Sequence, residues 1–278
     1  LNPVTFSGLV ADSIGLITLS SFYDKSSEEV KKAFLDLKKQ GIKSLILDLR
    51  SNPGGIVSEA VNICNLFIPK GSTVVSTKVK GGKTGNIYKT AYQPIDTEIP
   101  IVVLVNEGSA SASEIVSGAL QDEDRAVIMG QRTYGKGLVQ TTAQLPYGGK
   151  LKVTIAKYYT PSGRCIQKIN YTVKDGEKNA EIPDSLTHEF KTKGGRSVRD
   201  GRGIMPDVKL KSDSGKVITY NLVYEHKTFE WATKYYYNHK TIAPYKEFEL
   251  TDADFNDFKQ FVLGALFYRF ISENFTNF

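Results

Sequence analysis

Three short apolar segments in the first 120 residues are each followed by a helical pattern, and this alternation constrains the fold strongly. The apolar segments are residues 14–19, 44–49 and 101–105, and the helical patterns cover about 26–38, 57–67 and 113–120. Strands separated by helices in this way are typical of parallel βα units. The sequence therefore predicts an α/β fold with a parallel sheet in the first half of the chain.

The helical segment 26–38 shows its pattern clearly. One apolar stripe at helical spacing consists of Val30, Ala33, Phe34 and Leu37. Glu28 and Glu29 lie near the N-terminal end, where the helix dipole favours negative charge. Ser26 is the expected N-cap, because serine at that position can accept a hydrogen bond from a free backbone N–H of the first turn.

After residue 122 the pattern changes to strands and turns. Strands are predicted at 126–129, 137–145 and 151–159, and residues 160–216 are rich in glycine, proline and charge. Such a composition indicates loops around short strands.

The last 60 residues differ again, since they hold 17 of the 30 aromatic residues. Phe255, Phe258 and Phe261 recur at helical spacing. We therefore expect two parts, a core of residues 1–212 and an aromatic-rich helical extension of residues 213–278.

Charge and hydropathy exclude several classes of protein. The longest strongly apolar run is the seven residues 99–105, whereas a membrane-spanning helix needs about 20. The net charge is +6, but its basic residues are dispersed or lie in a glycine-rich stretch, 191–202. No aromatic residues lie among those charges, so a basic loop is favoured over a nucleic-acid site.

Histidine is absent from the first 187 residues, which hold the strand–helix units. No Gly-x-Ser-x-Gly motif occurs either, so a hydrolase that uses serine, an acid and histidine there is excluded. The two cysteines, Cys64 and Cys165, lack metal-ligand spacing. They form either one disulfide or two buried thiols.

A candidate catalytic loop follows the apolar segment 101–105. It reads Asn106-Glu-Gly-Ser-Ala-Ser-Ala-Ser113 and consists almost entirely of small residues. A turn from a strand into a helix can expose a serine hydroxyl and direct backbone N–H groups to one point, as an oxyanion requires. Tight packing at a crowded turn is the alternative explanation.

A lysine can replace histidine as the base of a serine nucleophile when its surroundings favour the neutral amine. Lys136 lies between Gly135 and Gly137, where backbone can approach a lysine closely. The segment also matches seven positions of the phosphate-loop motif, but position eight is Gly137 and a β-like segment follows. A nucleotide site is therefore rejected, and the absence of any Ser-x-x-Lys excludes the penicillin-recognising arrangement.

Several motifs together resemble the carboxy-terminal processing proteases, the tail-specific serine peptidases. In order they are Asp48-Leu-Arg-Ser-Asn-Pro-Gly-Gly55, residues 106–115, residues 130–140, Tyr158-Tyr-Thr-Pro-Ser-Gly163 and the closing Gly201-Arg-Gly-Ile-Met-Pro-Asp207. The resemblance covers about residues 14–210. It implies the ClpP/crotonase-like fold, with which the predicted strand–helix units are compatible.

The resemblance also implies a set of site residues. Ser111 is the nucleophile, Lys136 the general base, and Gln140 the residue that orients the lysine. The oxyanion donors it implies are the backbone N–H groups of Ala112 and of the Gly54-Gly55 turn, and which of the two glycines donates stays open. Ser109 and Ser113 are expected to serve packing and helix capping.

Further implications concern partners and location. Family members act on protein or peptide substrates with accessible C-termini, without cofactor, metal or nucleic acid, in an extracytoplasmic, periplasmic setting. They usually carry a PDZ domain before the core, and residues 1–13 are too few for one, so we expect this chain to lack it. A catalytically silent peptide-binding scaffold and a crotonase-like acyl-coenzyme A enzyme remain as alternatives, and the oligomeric state stays open.

Overall fold

The computed structural model describes residues 2–170, 180–211, 217–239, 241–244 and 247–275. The chain divides into two compact units, Leu1–Lys211 and Ser212–Phe278. The strands are β1 (Val4–Ala11), β2 (Ile14–Leu19), β3 (Ser44–Asp48), β4 (Thr73–Val79), β5 (Thr84–Lys89), β6 (Ile101–Val105), β7 (Val127–Gly130), β8 (Leu138–Gln144), β9 (Lys150–Tyr159), β10 (Ile169–Asn170), β11 (Ala180–Glu181), β12 (Glu189–Lys191), β13 (Ser197–Arg199) and β14 (Val208–Lys209). The helices are α1 (Ser26–Lys39), α2 (Val57–Asn65), α3 (Ala112–Asp122), α4 (Val217–Tyr224), α5 (Lys227–Asn238) and α6 (Asp252–Phe275).

A six-stranded sheet forms the centre of the first unit, in the order β1-β2-β3-β6-β7-β14. All neighbours from β2 to β14 pair in parallel, and β1 pairs with β2 in the antiparallel sense. Helices α1, α2 and α3 connect the parallel strands, which confirms the predicted βα units. Leu47 and Val103 pair across β3 and β6 and are almost fully buried, as expected for a parallel sheet.

A second sheet has four antiparallel strands in the order β5-β4-β9-β8. Strand β8 lies at its edge, immediately after the segment that contains Lys136. The β8–β9 hairpin pairs Leu138 with Lys157 at one end and Gln144 with Lys150 at the other. The sequence pattern predicted β8 and β9 but indicated no strand at β1, β4 or β5.

Helix α1 starts at Ser26 itself, so its N-cap lies one residue earlier than expected. Lys25 occupies the N-cap position in the left-handed conformation, with φ 66°, and Ser26 is the first helical residue. The Ser26 hydroxyl instead donates to the Tyr23 carbonyl at 2.8 Å, inside the protein. The prediction that Ser26 caps the helix is therefore wrong, because its hydroxyl stabilises the preceding turn.

The apolar stripe of α1 faces the core as predicted. Val30, Phe34 and Leu37 are almost fully buried, and Ala33 packs against them. The rings of Phe34 and Phe67 meet edge to face at 5.3 Å, a favoured aromatic geometry. This contact joins α1 to the segment that follows α2.

The second unit consists of α4, α5 and α6 in its described part. Trp231 on α5 is buried, and its Nε1–H donates to the Asp257 carboxylate on α6 at 2.8 Å. The Trp231 ring also lies 5.4 Å from the ring of Phe258, between centroids. The prediction of an aromatic-rich helical extension is confirmed. Among the helices that the structure describes, none is both long and apolar enough to cross a membrane.

Both cysteines are free thiols, so the disulfide alternative is wrong. Cys64 is fully buried on α2, whereas Cys165 is partly buried. Burial raises the pKa of both thiols, which keeps them protonated at neutral pH.

Candidate active site

Ser111 occupies the N-cap position of α3, at the end of the small-residue loop that follows β6. Its backbone has φ 55° and ψ −109°, a sparsely populated conformation for a residue with a side chain. Such a residue persists only where the surrounding structure holds it, and residues of this kind cluster at functional sites. The side chain is partly buried, next to the exposed ends of the neighbouring loops.

Two neighbouring serines hold the loop in place. The Ser109 hydroxyl donates to the Leu49 carbonyl at 2.7 Å and accepts from the Asn106 N–H at 3.0 Å. The Ser113 hydroxyl donates to the Asn52 carbonyl at 2.9 Å. Ser113 is thus inside α3 and not its cap, which corrects the capping role expected for it. Both hydroxyls attach the loop to the segment 49–55.

The buried carboxylate of Glu114 organises the candidate site, and no role was predicted for it from the sequence. Glu114 lies in the first turn of α3 and is fully buried. Its oxygens accept from four donors, which are the N–H of Ser111 at 2.8 Å, the Thr133 hydroxyl at 2.6 Å, the N–H of Gly135 at 2.7 Å and the N–H of Lys136 at 2.9 Å. Burial raises the pKa of Glu114, and these four hydrogen bonds oppose the rise.

One oxygen of this carboxylate joins the candidate nucleophile to the candidate base. Glu114 Oε2 accepts from the backbone N–H groups of both Ser111 and Lys136. The two residues come from segments that are distant in sequence, so the shared acceptor places their backbones side by side. The sequence signal for Glu114 was its position three residues after an N-cap serine, which is typical of a capping box.

The glycines around Lys136 are required by close packing. A side chain at Gly137 would place its Cβ 2.6 Å from the Gln167 nitrogen, and one at Gly135 would overlap Lys168. Gly135 also has φ 87°, a conformation that favours glycine. Within the described residues, the Lys136 side chain is partly buried and its Nζ forms no hydrogen bond or ion pair.

Gln140 lies on β8 and, with Lys136, lines a cavity of about 270 Å³. Ser111 does not line this cavity. In the part of the chain that the structure describes, no hydrogen bond joins Gln140 to Lys136. The structure thus brings Lys136 and Gln140 to one cavity, and it brings Ser111 to Lys136 through Glu114.

The backbone N–H groups of Gly54, Gly55 and Ala112 differ in their availability. Gly54 donates to the Asn52 side chain at 2.9 Å. Neither Gly55 nor Ala112 donates to any acceptor among the described residues. A Cβ at Gly54 would lie 2.9 Å from the Ala112 nitrogen, so the turn at Gly54 abuts the start of α3.

Asn52 fixes that turn from within. It is fully buried, its side-chain NH₂ group donates to the Leu19 carbonyl at 2.7 Å, and its backbone carbonyl accepts from the Ala110 N–H at 3.0 Å. The Asn106 side chain makes a second link, since it accepts from the Ser51 N–H at 2.7 Å. These bonds make the loops after β3 and β6 one structure.

Elsewhere, no cluster of His, Cys, Asp and Glu in the described residues could hold a metal ion.

Comparison with protein families and with known proteins gives consistent results. Residues 13–175 match the model of peptidase family S41, and residues 218–275 match a family described as "Probable PDZ-protease, C-terminal helical domain". A "C-terminal processing peptidase, chloroplastic" of Tetradesmus obliquus is 39% identical over 181 residues, which are 61% of this chain and 39% of that protein. A "Probable CtpA-like serine protease" of Staphylococcus epidermidis is 35% identical over 224 residues, 80% of this chain and 38% of that protein.

Solved structures show the same fold. The photosystem II D1 C-terminal processing protease is 33% identical, with a TM-score of 0.57 over 72% of this chain and 43% of that one. A putative S41 protease from Bacteroides fragilis is 16% identical, with a TM-score of 0.53 over 76% of this chain and 51% of that one, which bears on the fold alone. The chain spans about two fifths of the length of the curated relatives that it matches.

Proposed function

The chain belongs to peptidase family S41, and on this basis we propose that it is a serine endopeptidase that cleaves protein substrates near their C-termini. Ser111 acts as the nucleophile and Lys136 as the general base. The observation that carries the proposal is the shared acceptor, since one oxygen of the buried Glu114 carboxylate binds the backbone N–H groups of both residues.

The proposed chemistry proceeds in two steps. The neutral amine of Lys136 takes the hydroxyl proton of Ser111 as Oγ attacks the carbonyl carbon of the scissile bond. Lys136 then returns the proton to the leaving amine, and an acyl-enzyme remains on Ser111. Water, deprotonated by the same lysine, hydrolyses the ester and regenerates the serine.

We assign the oxyanion donors to the N–H groups of Gly55 and Ala112. Both lack an acceptor within the described residues, whereas the Gly54 N–H is occupied by Asn52. Gly54 contributes differently, because the absence of a Cβ lets its turn approach the start of α3. Loss of one such donor typically lowers kcat by about 10² to 10³.

Gln140 is assigned the orienting role for Lys136, and its support is the cavity that both residues line. The substrates we propose are proteins or peptides with accessible C-termini, cleaved in an extracytoplasmic, periplasmic setting. The proposed reaction uses protein groups alone, without a cofactor or a metal ion.

Substitution of the two reacting residues tests the proposal. We expect Ser111→Ala and Lys136→Ala each to lower cleavage of an unstructured peptide by at least about 10⁴-fold, with an unchanged circular dichroism spectrum. The matched controls are Ser58→Ala, at an exposed serine, and Lys31→Ala, at an exposed lysine of α1. Both controls should retain activity.

The peptide is offered with a free and with an amidated C-terminus, and faster cleavage of the free form is expected for a tail-specific enzyme. Cleavage that persists in purified Ser111→Ala protein would contradict the assignment of the nucleophile. Binding of the peptide without cleavage by the unmodified chain would favour the silent scaffold instead.

A further inference from the structure

Among the residues that the structure describes, no strand pairs with β8 on the side away from β9, and this free edge lies beside the candidate site. Strand β8 is the outermost strand of the order β5-β4-β9-β8, and it begins two positions after Lys136. The N–H of Leu145 donates to the Gly149 carbonyl, so the backbone groups of Leu145 point toward β9. Because antiparallel strands alternate, the N–H and C=O groups of Gln140, Thr142 and Gln144 point away from β9. Such an edge can take a further strand.

The charged side chains on the strands of this sheet are all positive. Its four strands contain five lysines and no aspartate or glutamate. The sequence has no acidic residue between Asp124 and Asp175, a stretch that includes Lys136 and the whole β8–β9 hairpin. A chain with negative charge would therefore meet no repulsion from this hairpin.

Two of the lysines lie on one face, close to the free edge. Lys150 pairs in register with Gln144, and Lys152 pairs with Thr142, so these four exposed side chains share a face. Lysine side chains are long enough to extend over the shorter Thr142 toward a strand added at the edge. Carboxylate side chains at alternate positions of that strand could then form ion pairs with the amines of Lys150 and Lys152.

On the opposite face of the hairpin, small side chains of β8 lie beside larger apolar side chains of β9. Thr141 and Ala143 on β8 are small, and they pair with the larger Val153 and Leu151 on β9. Leu151 is 49% exposed and Val153 is 38% exposed. Apolar side chains of an added strand could cover the small residues and contact the large ones.

We propose that the free edge of β8 binds an extended polypeptide substrate as an added strand, with carboxylate side chains toward Lys150 and Lys152 and apolar side chains toward Leu151 and Val153. The preferred segment thus alternates acidic and apolar residues. This inference rests on the proposed function, because it names the substrate segment that such a peptidase would hold.

Continuity with the candidate site supports this occupant. Leu138 and Gln140, the first residues of β8, line the 270 Å³ cavity together with Lys136. The same two residues also line an adjoining cavity of about 690 Å³. A peptide that leaves Lys136 along β8 would therefore pass two cavities that can receive its side chains.

Binding to the Ser111→Ala chain tests the inference without requiring cleavage. Fluorescence anisotropy compares a labelled peptide of alternating Glu and Leu with a matched peptide of alternating Gln and Leu. We expect about ten-fold tighter binding of the Glu peptide at low salt. Lys150→Gln/Lys152→Gln should reduce that preference to about two-fold or less, whereas Lys89→Gln, on the opposite edge strand, should leave it unchanged.

A proline substitution tests the added strand itself. Thr142→Pro removes an N–H that points to the free edge, and proline is tolerated on edge strands. We expect Thr142→Pro to weaken the binding of both peptides by about ten-fold, while Thr142→Ala, which keeps the N–H, should have little effect. The circular dichroism spectrum shows whether each variant is folded.

Equal binding of the Glu and Gln peptides, or the same loss in Lys89→Gln as in Lys150→Gln/Lys152→Gln, would overturn the acidic preference. Unchanged binding by a folded Thr142→Pro chain would overturn the added strand. Failure of the unmodified chain to cleave any peptide would instead overturn the proposed function, since the binding assay does not depend on catalysis.

Discussion

In the first turn of α3, a buried carboxylate accepts hydrogen bonds from two segments that lie far apart in the sequence. Ionised Glu114 can accept from four donors at once, which offsets the cost of removing its charge from water. A neutral amide has one acceptor oxygen, and its NH₂ group would face other donors. The Glu114 carboxylate thus positions the backbone of both Ser111 and Lys136.

We predict that Glu114→Gln destabilises the chain and lowers peptide cleavage. Donors left without an acceptor in a buried site cost about 2 to 4 kcal/mol, measured as the free energy of unfolding in urea. Glu107→Gln is the control, because Glu107 is an exposed carboxylate in the same loop. Equal stability and equal activity of the two variants would contradict the positioning role.

A second prediction separates crowding from backbone conformation. Gly54 and Gly71 have similar φ values of 97° and 88°, but only Gly54 has neighbours where a Cβ would lie. Gly54→Ala should therefore cost clearly more stability than Gly71→Ala, for which about 1 kcal/mol is expected. Gly54→Ala should also lower peptide cleavage, because the new methyl group would press on Ser111. Comparable unfolding midpoints of Gly54→Ala and Gly71→Ala would show that the start of α3 does not crowd Gly54.

The sequence predicted some residues of the candidate site and not others, for a physical reason. Ser111 and Lys136 were predicted from ordered motifs, because the chemistry proposed for them depends on residue type and local spacing. Glu114 and Asn52 act through hydrogen bonds to backbone groups that are distant in the sequence. No local pattern shows which backbone groups the fold will place beside these side chains. Side-chain hydrogen bonds of this kind can be assigned only once the loops are placed.

At the scale of elements, amphipathic helices and buried parallel strands were predictable, since each shows its own periodicity. Strands β4 and β5 were not predicted, because polar and glycine residues interrupt their pattern and pairing within the small sheet stabilises them. Connections between elements also depend on single contacts. Lys38 on α1 forms an ion pair of 2.8 Å with Asp96, in the segment before β6.

The stability that this pair contributes should depend on pH. Burial opposes ionisation of Asp96, but hydrogen bonds from Lys38 and from the N–H groups of Ile99 and Glu98 lower its pKa from 3.8 to about 2. The contribution is therefore complete above pH 3.8 and is lost as pH falls through about 2.

Asp96→Asn should accordingly lower the free energy of unfolding by about 1 kcal/mol at pH 7, and by much less near pH 2. Urea titrations at both values measure this difference, and Asp12→Asn, at an exposed carboxylate, is the control. A loss that does not change with pH would show that the charge of Asp96 is not the cause.

At the scale of the whole molecule, the two compact units coincide with two separate family matches. The family S41 match, 13–175, lies within the first unit, and the helical-domain match, 218–275, lies within the second. Among the described residues, the members of the large buried apolar cluster lie between Ile17 and Ile204. The first unit therefore contains the residues that bury its own core.

We propose the division at residue 212 as the boundary of an independently folding core. A fragment of residues 1–212 should unfold in one cooperative thermal transition, because its core cluster is complete. Circular dichroism at increasing temperature measures this for the fragment and for the full chain. A broad, non-cooperative transition of the fragment would show that the core needs the helical extension.

Helix α3 has no outward face, since all 11 of its residues are buried. The helix that carries the candidate nucleophile at its N-cap therefore offers no exposed side chain to a crosslinker or a modifying enzyme. Tyr134 and Gln140, on either side of Lys136, are exposed by contrast. The two sides of the candidate site thus differ: a label or a regulatory contact can be attached beside Lys136, whereas α3 offers no exposed side chain behind the partly buried Ser111.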